Sequence, residues 1–311
     1  MRRLAAVRLL TVLPTLAGIT MLAFAISSVT PGDPAAVILQ RQTGDVPSEA
    51  AVAALRRTLH LDDPLPMRYG RWLGSVMTGD LGRSFRTGEE VRSLIAGRAP
   101  HTLALAASAV AVAALVGLPG GLLAAAYRGR PVDWVVRLLV LLGESWPSYV
   151  VAYGLILVFA VWLGWLPVAG GDTWAHAVLP AATLTIGLLA SVVRLTRSGV
   201  LDALGRDHVL MARARGLRAS TVVISHAWRV GRLLLVAFAG VRVAQLLGGA
   251  VVVETVFAWP GLGQTLVTAV FDRDYPVIQA LVLYAGVAMV AINLLADLLL
   301  LWLDPRARLR A

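Results

Sequence analysis

The stretch RLTRSGVLDALGRDHVLMARARGL, residues 194–217, interrupts an otherwise strongly apolar chain. It lies between two long hydrophobic segments, and residues 194–232 carry eight arginines against two aspartates. Val200 and Leu204 belong to an apolar stripe at helical spacing, with arginines on the remaining faces. The pattern predicts an amphipathic helical segment that connects two membrane helices on one side of a bilayer.

Gly216 marks the predicted end of this helix. Glycine suits the left-handed position that follows a helix, and Leu217 can supply the accompanying apolar contact. Ser220 or Thr221 then begins a second helix as its N-cap. The predicted product is a protruding corner that would fit a socket on another protein. An amphipathic helix lying on anionic lipid is the alternative interpretation.

The composition indicates a polytopic membrane protein. Hydrophobic residues make up 58% of the 311 residues, and the mean hydropathy is +0.75. Every basic residue is arginine, so the lysine of a phosphate-binding Walker-A loop is absent. The chain has no cysteine, and its five histidines are scattered. We therefore expect no ATPase site, metal site or cofactor in this chain, and an enzyme is disfavoured.

Six apolar segments are long enough to cross a bilayer as helices. The first follows three arginines but is longer than the apolar core of a signal peptide, so we interpret it as a retained helix. The fold class is therefore predicted to be an all-α membrane protein with six transmembrane helices. The predicted spans are Leu9–Val29, Leu103–Ala126, Leu138–Leu163, Ala177–Val193, Leu233–Ala258 and Val277–Leu303.

The predicted organisation has three parts. Residues 1–30 form the N-terminal transmembrane helix, and residues 31–100 form an extracytoplasmic loop subdomain. Residues 101–305 form a core of five transmembrane helices with the basic segment 194–232. Within the loop subdomain, Ser48–Leu59 is predicted to be helical with Ser48 as its N-cap.

The distribution of arginine predicts the orientation. The N-terminus, the segment after the second span, residues 194–232 and the C-terminal tail all carry an excess of arginine. In a six-span chain these four segments lie on the same side, and the opposite side is close to neutral. The positive-inside rule therefore places both termini in the cytoplasm. The net charge of +10 is explained in this way without a nucleic-acid partner.

Five polar residues fall within or near the predicted spans, where they are costly and usually face a bundle interior or water. Pro147 follows the first of them closely and predicts a kink in the third span. We expect a translocation pathway or a buried structural role for these residues. They are Glu144, Arg242, Gln245, Asn293 and Asp297.

Several motifs are spread along the chain, namely RLLTVLPTLAG (8–18), PGDP (31–34), LDDPLP (61–66), GDLGRS (79–84), VFAWPGLG (256–263), RDYPVIQ (273–279) and LDPR (303–306). With these motifs the chain resembles the permeases of the dipeptide, oligopeptide and nickel family of ABC importers. The resemblance covers essentially the whole chain. It implies the type I ABC importer permease fold and a place in the inner (plasma) membrane.

The resemblance also implies partners and a coupling site. ABC importer permeases share a cytoplasmic EAA-x3-G pattern, and Gly216 fits its glycine. The residues implied to contact the ATPases are Asp207, Leu210, Met211, Ala212, Arg213, Ala214, Arg215, Gly216 and Leu217. The implied partners are two ABC ATPase subunits, a second homologous permease, an extracytoplasmic solute-binding protein and membrane lipid.

The expected function is therefore that of a permease subunit, which forms half of the pathway for short peptides and is driven by separate ATPases. Nickel or a metal chelate is an alternative cargo. An ion-coupled secondary transporter, using Glu144, Arg242 and Asp297, is the alternative of another class. It predicts an internal inverted repeat, and none is apparent.

Overall fold

The computed structural model describes residues 2–29, 33–204, 209, 211, 215–216, 246 and 248–303. These residues are helical or lie in turns, apart from one isolated antiparallel bridge between Arg83 and Glu90. The named helices are α1 Arg2–Val29, α2 Pro34–Thr43, α3 Glu49–Thr58, α4 Leu65–Met77, α5 Val91–Ala126, α6 Pro131–Ser145, α7 Ser148–Leu155, α8 Trp174–Leu204, α9 Leu262–Phe271 and α10 Tyr275–Leu303. Residues 248–256 are also helical.

Three of the described helices are long and apolar enough to cross a membrane. They are α5, α8 and residues 275–299 of α10, and the bent pair of α6 and α7 would make a fourth. Within α1, Val12–Ile26 forms a shorter apolar helix. Most of the predicted fifth span lies outside the described residues. The six-span count therefore stays a prediction, whereas the all-helical fold is confirmed for the described part.

The predicted third span is broken rather than kinked. α6 ends at Ser145, and α7 starts at Ser148 after a turn of 104° at Pro147. Proline disfavours a helical conformation in the residue before it, and Trp146 is extended there with ψ of 129°. α7 then continues as a π-helix over Ile156–Trp162. The sequence predicted the place of the bend but not its size.

The fourth span is longer than its apolar segment. α8 begins at Trp174 and runs to Leu204, past the predicted end at Val193. Val200 and Ala203, in the extension, are fully buried, so the apolar stripe seen in the sequence holds this part of the helix to the bundle. The first third of the basic stretch is therefore an extension of a membrane helix and not a loop.

α5 and α8 pack closely because two glycines on α5 face α8. A Cβ atom on Gly117 would lie 2.8 Å from Val192, and one on Gly121 would lie 2.5 Å from Cβ of Thr196. Both distances are shorter than any real contact, so only glycine allows the observed approach. Gly117 and Gly121, four positions apart on one face of α5, therefore have a packing role.

A buried carboxylate holds the turn that follows residues 248–256. Glu254 is fully buried and accepts hydrogen bonds from the hydroxyl of Thr102 (2.6 Å) and from the backbone N–H of Gly263 (2.6 Å). Its carboxylate occupies the space that a side chain at Gly261 would need. The glycines of the WPGLG motif therefore make room for Glu254, and α9 starts at a fixed angle from this turn.

The described loop subdomain packs on α1. Phe24 of α1 contacts the rings of Tyr69 and Trp72 on α4, and the hydroxyl groups of Thr20 and Tyr69 are 2.8 Å apart.

As predicted, Ser48 caps α3, where its hydroxyl accepts a hydrogen bond from the N–H of Ala51.

Arg56, near the end of α3, connects the residue before α2 with the turn after α3. It donates hydrogen bonds to Asp33 (2.9 Å) and Asp62 (2.8 Å). These bonds, chiefly the one to Asp33, raise the pKa of the guanidinium above its usual value. The two aspartates therefore share one permanently charged partner.

Two motifs noted separately in the sequence meet on the predicted external side. Asp274 of RDYPVIQ is buried and accepts hydrogen bonds from the hydroxyl of Ser84, at 2.5 Å, and from the N–H of Phe85, at 3.0 Å. Arg86 forms an ion pair with Asp272 at 3.2 Å. The GDLGRS segment is therefore fastened to the turn between α9 and α10.

Candidate functional site

An ion pair joins α6 to α8 just before the break in the third span. The carboxylate of Glu144 accepts a hydrogen bond from Nη1 of Arg194, at 2.5 Å, and a longer one from the hydroxyl of Ser191, at 3.4 Å. The side chain of Glu144 is 27% exposed and that of Arg194 is 52% exposed. Both charges are therefore compensated, but neither is fully enclosed by this chain.

The Glu144–Arg194 pair lies in the walls of two cavities. One cavity, of about 410 Å³, is at the break between α6 and α7 and is lined by polar groups that include Ser148, Thr183 and Ser191. The other, of about 580 Å³, follows α6 and α8 and is mostly apolar, with Arg197 among its lining residues. The ion pair is the polar feature that the two cavities share.

A second ion pair fastens the other end of α6 to α8. Asp133 accepts two hydrogen bonds from Arg197, at 2.7 and 2.9 Å, and one from the backbone N–H of Gly129, at 3.0 Å. Asp133 is 1% exposed. Two parallel bonds from a guanidinium fix its geometry more strictly than one, so this pair acts as a permanent connection.

The structure describes part of the predicted coupling segment. Gly216 has a φ of +77°, which confirms the predicted left-handed conformation, and a Cβ atom there would meet nothing within 4 Å. The N–H of Arg215 bonds to the carbonyl of Met211, and the Met211 side chain is 60% exposed. The remaining residues predicted for this segment lie outside the described residues, namely Asp207, Leu210, Ala212, Arg213, Ala214 and Leu217.

The predicted pathway residues do not form one cluster in the described part of the chain. Glu144 is on α6, and its partner is Arg194 of α8. Asn293 and Asp297 are half-buried on α10, which packs mainly on α1. Arg242 and Gln245 lie outside the described residues, so their expected role stays a prediction.

Three charged residues of this site were not predicted as such. Asp133, Arg194 and Arg197 entered the sequence analysis only through the sum of loop charges. Helical spacing could have identified the two arginines, because Arg194 and Arg197 lie three positions apart and continue the periodicity of the fourth span. Their carboxylate partners are more than forty residues away in sequence, and spacing along one helix does not identify them.

The two parts of the chain match two family descriptions. Residues 117–309 match the family described as "Binding-protein-dependent transport system inner membrane component". Residues 1–106 match its N-terminal counterpart, "Binding-prot-dependent transport system membrane comp, N-term". Together they cover nearly all of the chain, including both ion pairs and the basic stretch.

Similar proteins extend over the same length. The chain is 38% identical over 301 residues to the glutathione transport system permease protein GsiC of Pectobacterium atrosepticum, covering 97% of each chain. It is 38% identical over 312 residues to a putative peptide permease protein of Brucella suis biovar 1, again covering 97% of each.

The fold is similar to that of a solved chain of the MetNI methionine ABC transporter in an inward-facing conformation. The TM-score is 0.58 with 20% identity, over 68% of this chain and 96% of that chain. At this level of identity the likeness bears on the fold alone, and it agrees with the helical permease fold expected from the sequence motifs.

Proposed function

Because the chain belongs to the family of binding-protein-dependent transport system inner membrane components, we propose that it forms half of the pathway of an importer for short peptides. The chain is a permease subunit of an ABC importer, and the proposal concerns its cargo and its assembly. The proposed cargo rests on the similarity, over 97% of both chains, to permeases named for glutathione and for peptides. The family membership disfavours an ion-coupled secondary transporter.

The pathway is proposed to follow α6, α7 and α8. These helices enclose a polar cavity with an ion pair in an otherwise apolar bundle, and such groups in membrane helices usually face a route for solute or water. Many large side chains of α6, α7 and the break between them are exposed in the isolated chain, such as Trp134, Trp146 and Tyr153. A second, homologous permease would cover part of this surface and complete the pathway, and lipid would cover the rest.

Two separate ATPase subunits are proposed to act on residues 194–232. Met211 is exposed beside the left-handed corner at Gly216, a geometry that suits insertion into a groove of another protein. The proposed contacts are the nine residues given above, from Asp207 to Leu217. ATP binding would move this segment, and alternating access would follow from the movement of the helices joined to it.

The proposed orientation places both termini in the cytoplasm of a plasma membrane. It follows from the excess of arginine in the four segments on one side. In this orientation, residues 31–100 and α9 with its flanking turns face outward, where an extracytoplasmic solute-binding protein would deliver cargo. The division into 1–30, 31–100 and 101–305 is part of the same proposal.

The test is uptake by proteoliposomes that contain this chain with its native partner permease and ATPases. With binding protein outside and ATP inside, a labelled tripeptide should accumulate, and omission of either should abolish uptake. Nickel uptake without peptide uptake would favour the alternative cargo. Accumulation of peptide that does not require the binding protein would contradict the proposal.

A further inference from the structure

We propose that Glu144 and Arg194 contact the cargo directly, and that their ion pair opens when the charged ends of a short peptide replace it. The peptide's ammonium group would bind Glu144, and its carboxylate would bind Arg194. This inference rests on the proposed function and adds which residues meet the cargo and which chemical groups they recognise.

The position of the pair supports this role. Glu144 and Arg194 line both the polar cavity at the α6–α7 break and the longer cavity that follows α6 and α8. Separating the two side chains would therefore change the wall of both cavities at once. Their volumes, about 410 and 580 Å³, lie within the range of small-molecule sites.

The charges explain why the cargo would be a zwitterion. A carboxylate or guanidinium that loses its partner beside an apolar bundle is destabilised, so opening of the pair is favoured when replacement partners are present. A peptide with free termini brings one charge of each sign, and both protein charges stay compensated while it is bound. A guanidinium can also donate two parallel hydrogen bonds to one carboxylate, whereas Arg194 donates only one to Glu144.

The Asp133–Arg197 pair, which joins the same two helices, is more buried and more tightly bonded than the Glu144–Arg194 pair. Asp133 is 1% exposed, Arg197 is 22% exposed, and two hydrogen bonds join them. Glu144 and Arg194, by contrast, are 27% and 52% exposed and share one hydrogen bond. The more exposed pair, which lines both cavities, is therefore the one suited to exchange its partners.

Gly187 provides a reporter inside the polar cavity. A Cβ atom at Gly187 would meet nothing within 4 Å, and the chain has no cysteine of its own. The variant Gly187→Cys thus carries one thiol facing the cavity, whose maleimide labelling rate can be followed in the complete transporter. Ser148→Cys, in the same cavity but on α7, is an independent reporter, and Gly97→Cys on α5, also with open space around it, is the control.

The probe is a mixture of tripeptides with free termini, compared with the same mixture N-acetylated and C-amidated. Free tripeptides should slow labelling at 187 and 148 but not at 97, and blocked tripeptides should not. In the Glu144→Gln and Arg194→Gln backgrounds, protection should weaken by about tenfold, as expected for loss of a charged hydrogen bond.

Uptake of the same tripeptides is measured in parallel. If they are transported but give no protection at either cysteine, or if blocked and free peptides protect equally, the cargo site is wrong while the proposed function stands. If no tripeptide is transported, the proposed cargo is wrong and this inference falls with it.

Discussion

Arg194 of α8 donates a hydrogen bond to Glu144 of α6, fifty residues earlier in the chain. The arginine belongs to the basic stretch predicted to meet the ATPases, and the glutamate belongs to the broken third span. One ion pair therefore connects the segment proposed to contact the ATPases with the cavity proposed to hold cargo. A movement of either helix changes the environment of both charges.

Replacing one member of this pair should be worse than replacing both. Glu144→Gln leaves the Arg194 guanidinium without its carboxylate, whereas Glu144→Gln with Arg194→Gln leaves no charge to compensate. Because Arg194 is half exposed, we expect the single change to cost about 1 kcal/mol, below the usual range for hydrogen bonds to charged groups. Thermal unfolding of the purified transporter measures this, and a strictly additive double-mutant cycle would rule out coupling.

Gly216→Val should impair coupling without disturbing membrane insertion. At a φ of +77° a β-branched side chain costs about 1–2 kcal/mol or more, so the corner should shift. Gly216→Asn is the matched control, because asparagine tolerates the left-handed region. Co-purification of the ATPases and peptide uptake should fall for valine and remain for asparagine. Full retention of both in Gly216→Val would place the ATPase contact elsewhere.

Gly121→Ala should destabilise the bundle, whereas Gly120→Ala should not. A methyl group at 121 would lie 2.5 Å from Thr196 and 2.8 Å from the carbonyl of Val193, and one at 120 would lie 3.6 Å from Val193. Overpacking of this kind typically costs about 1–3 kcal/mol, while alanine at an open helical position gains up to about 1 kcal/mol over glycine. Thermal unfolding in detergent compares the two adjacent variants. Equal melting temperatures would contradict the observed helix approach.

Single cysteines should report the proposed orientation. Asp202→Cys, at an exposed position of α8, should react only with membrane-permeant maleimide in intact cells. Asp62→Cys and Arg273→Cys, also exposed, should react with an impermeant reagent. The absence of native cysteine removes background labelling. Labelling at 202 by the impermeant reagent would invert the topology.

Local features of the fold were predictable because they depend on neighbouring residues. The capping role of Ser48 and the left-handed conformation of Gly216 both follow from local backbone preferences, and the structure confirms both.

The partners of the charged residues were not predictable in the same way. Hydropathy ended the fourth span at Val193, because Arg194 counts against membrane insertion, yet helical periodicity continues to Leu204. Pro147 indicated where the third span would bend, but packing sets an angle of 104°. Glu254 could have been noticed as a carboxylate within an apolar run, although its bonds to Thr102 and Gly263 appear only in three dimensions.

α8 can transmit a rotation along its whole length. Trp174–Leu204 is one continuous helix of 31 residues, about 46 Å long, so a rotation applied at its proposed cytoplasmic end, near Leu204, reaches Arg194 without a break in the helix. A rotation of about 20° would carry a group about 6 Å from the helix axis through about 2 Å. That displacement exceeds the tolerance of a hydrogen bond between two heavy atoms. A small rotation of α8 would therefore separate Arg194 from Glu144 without unwinding a turn of helix.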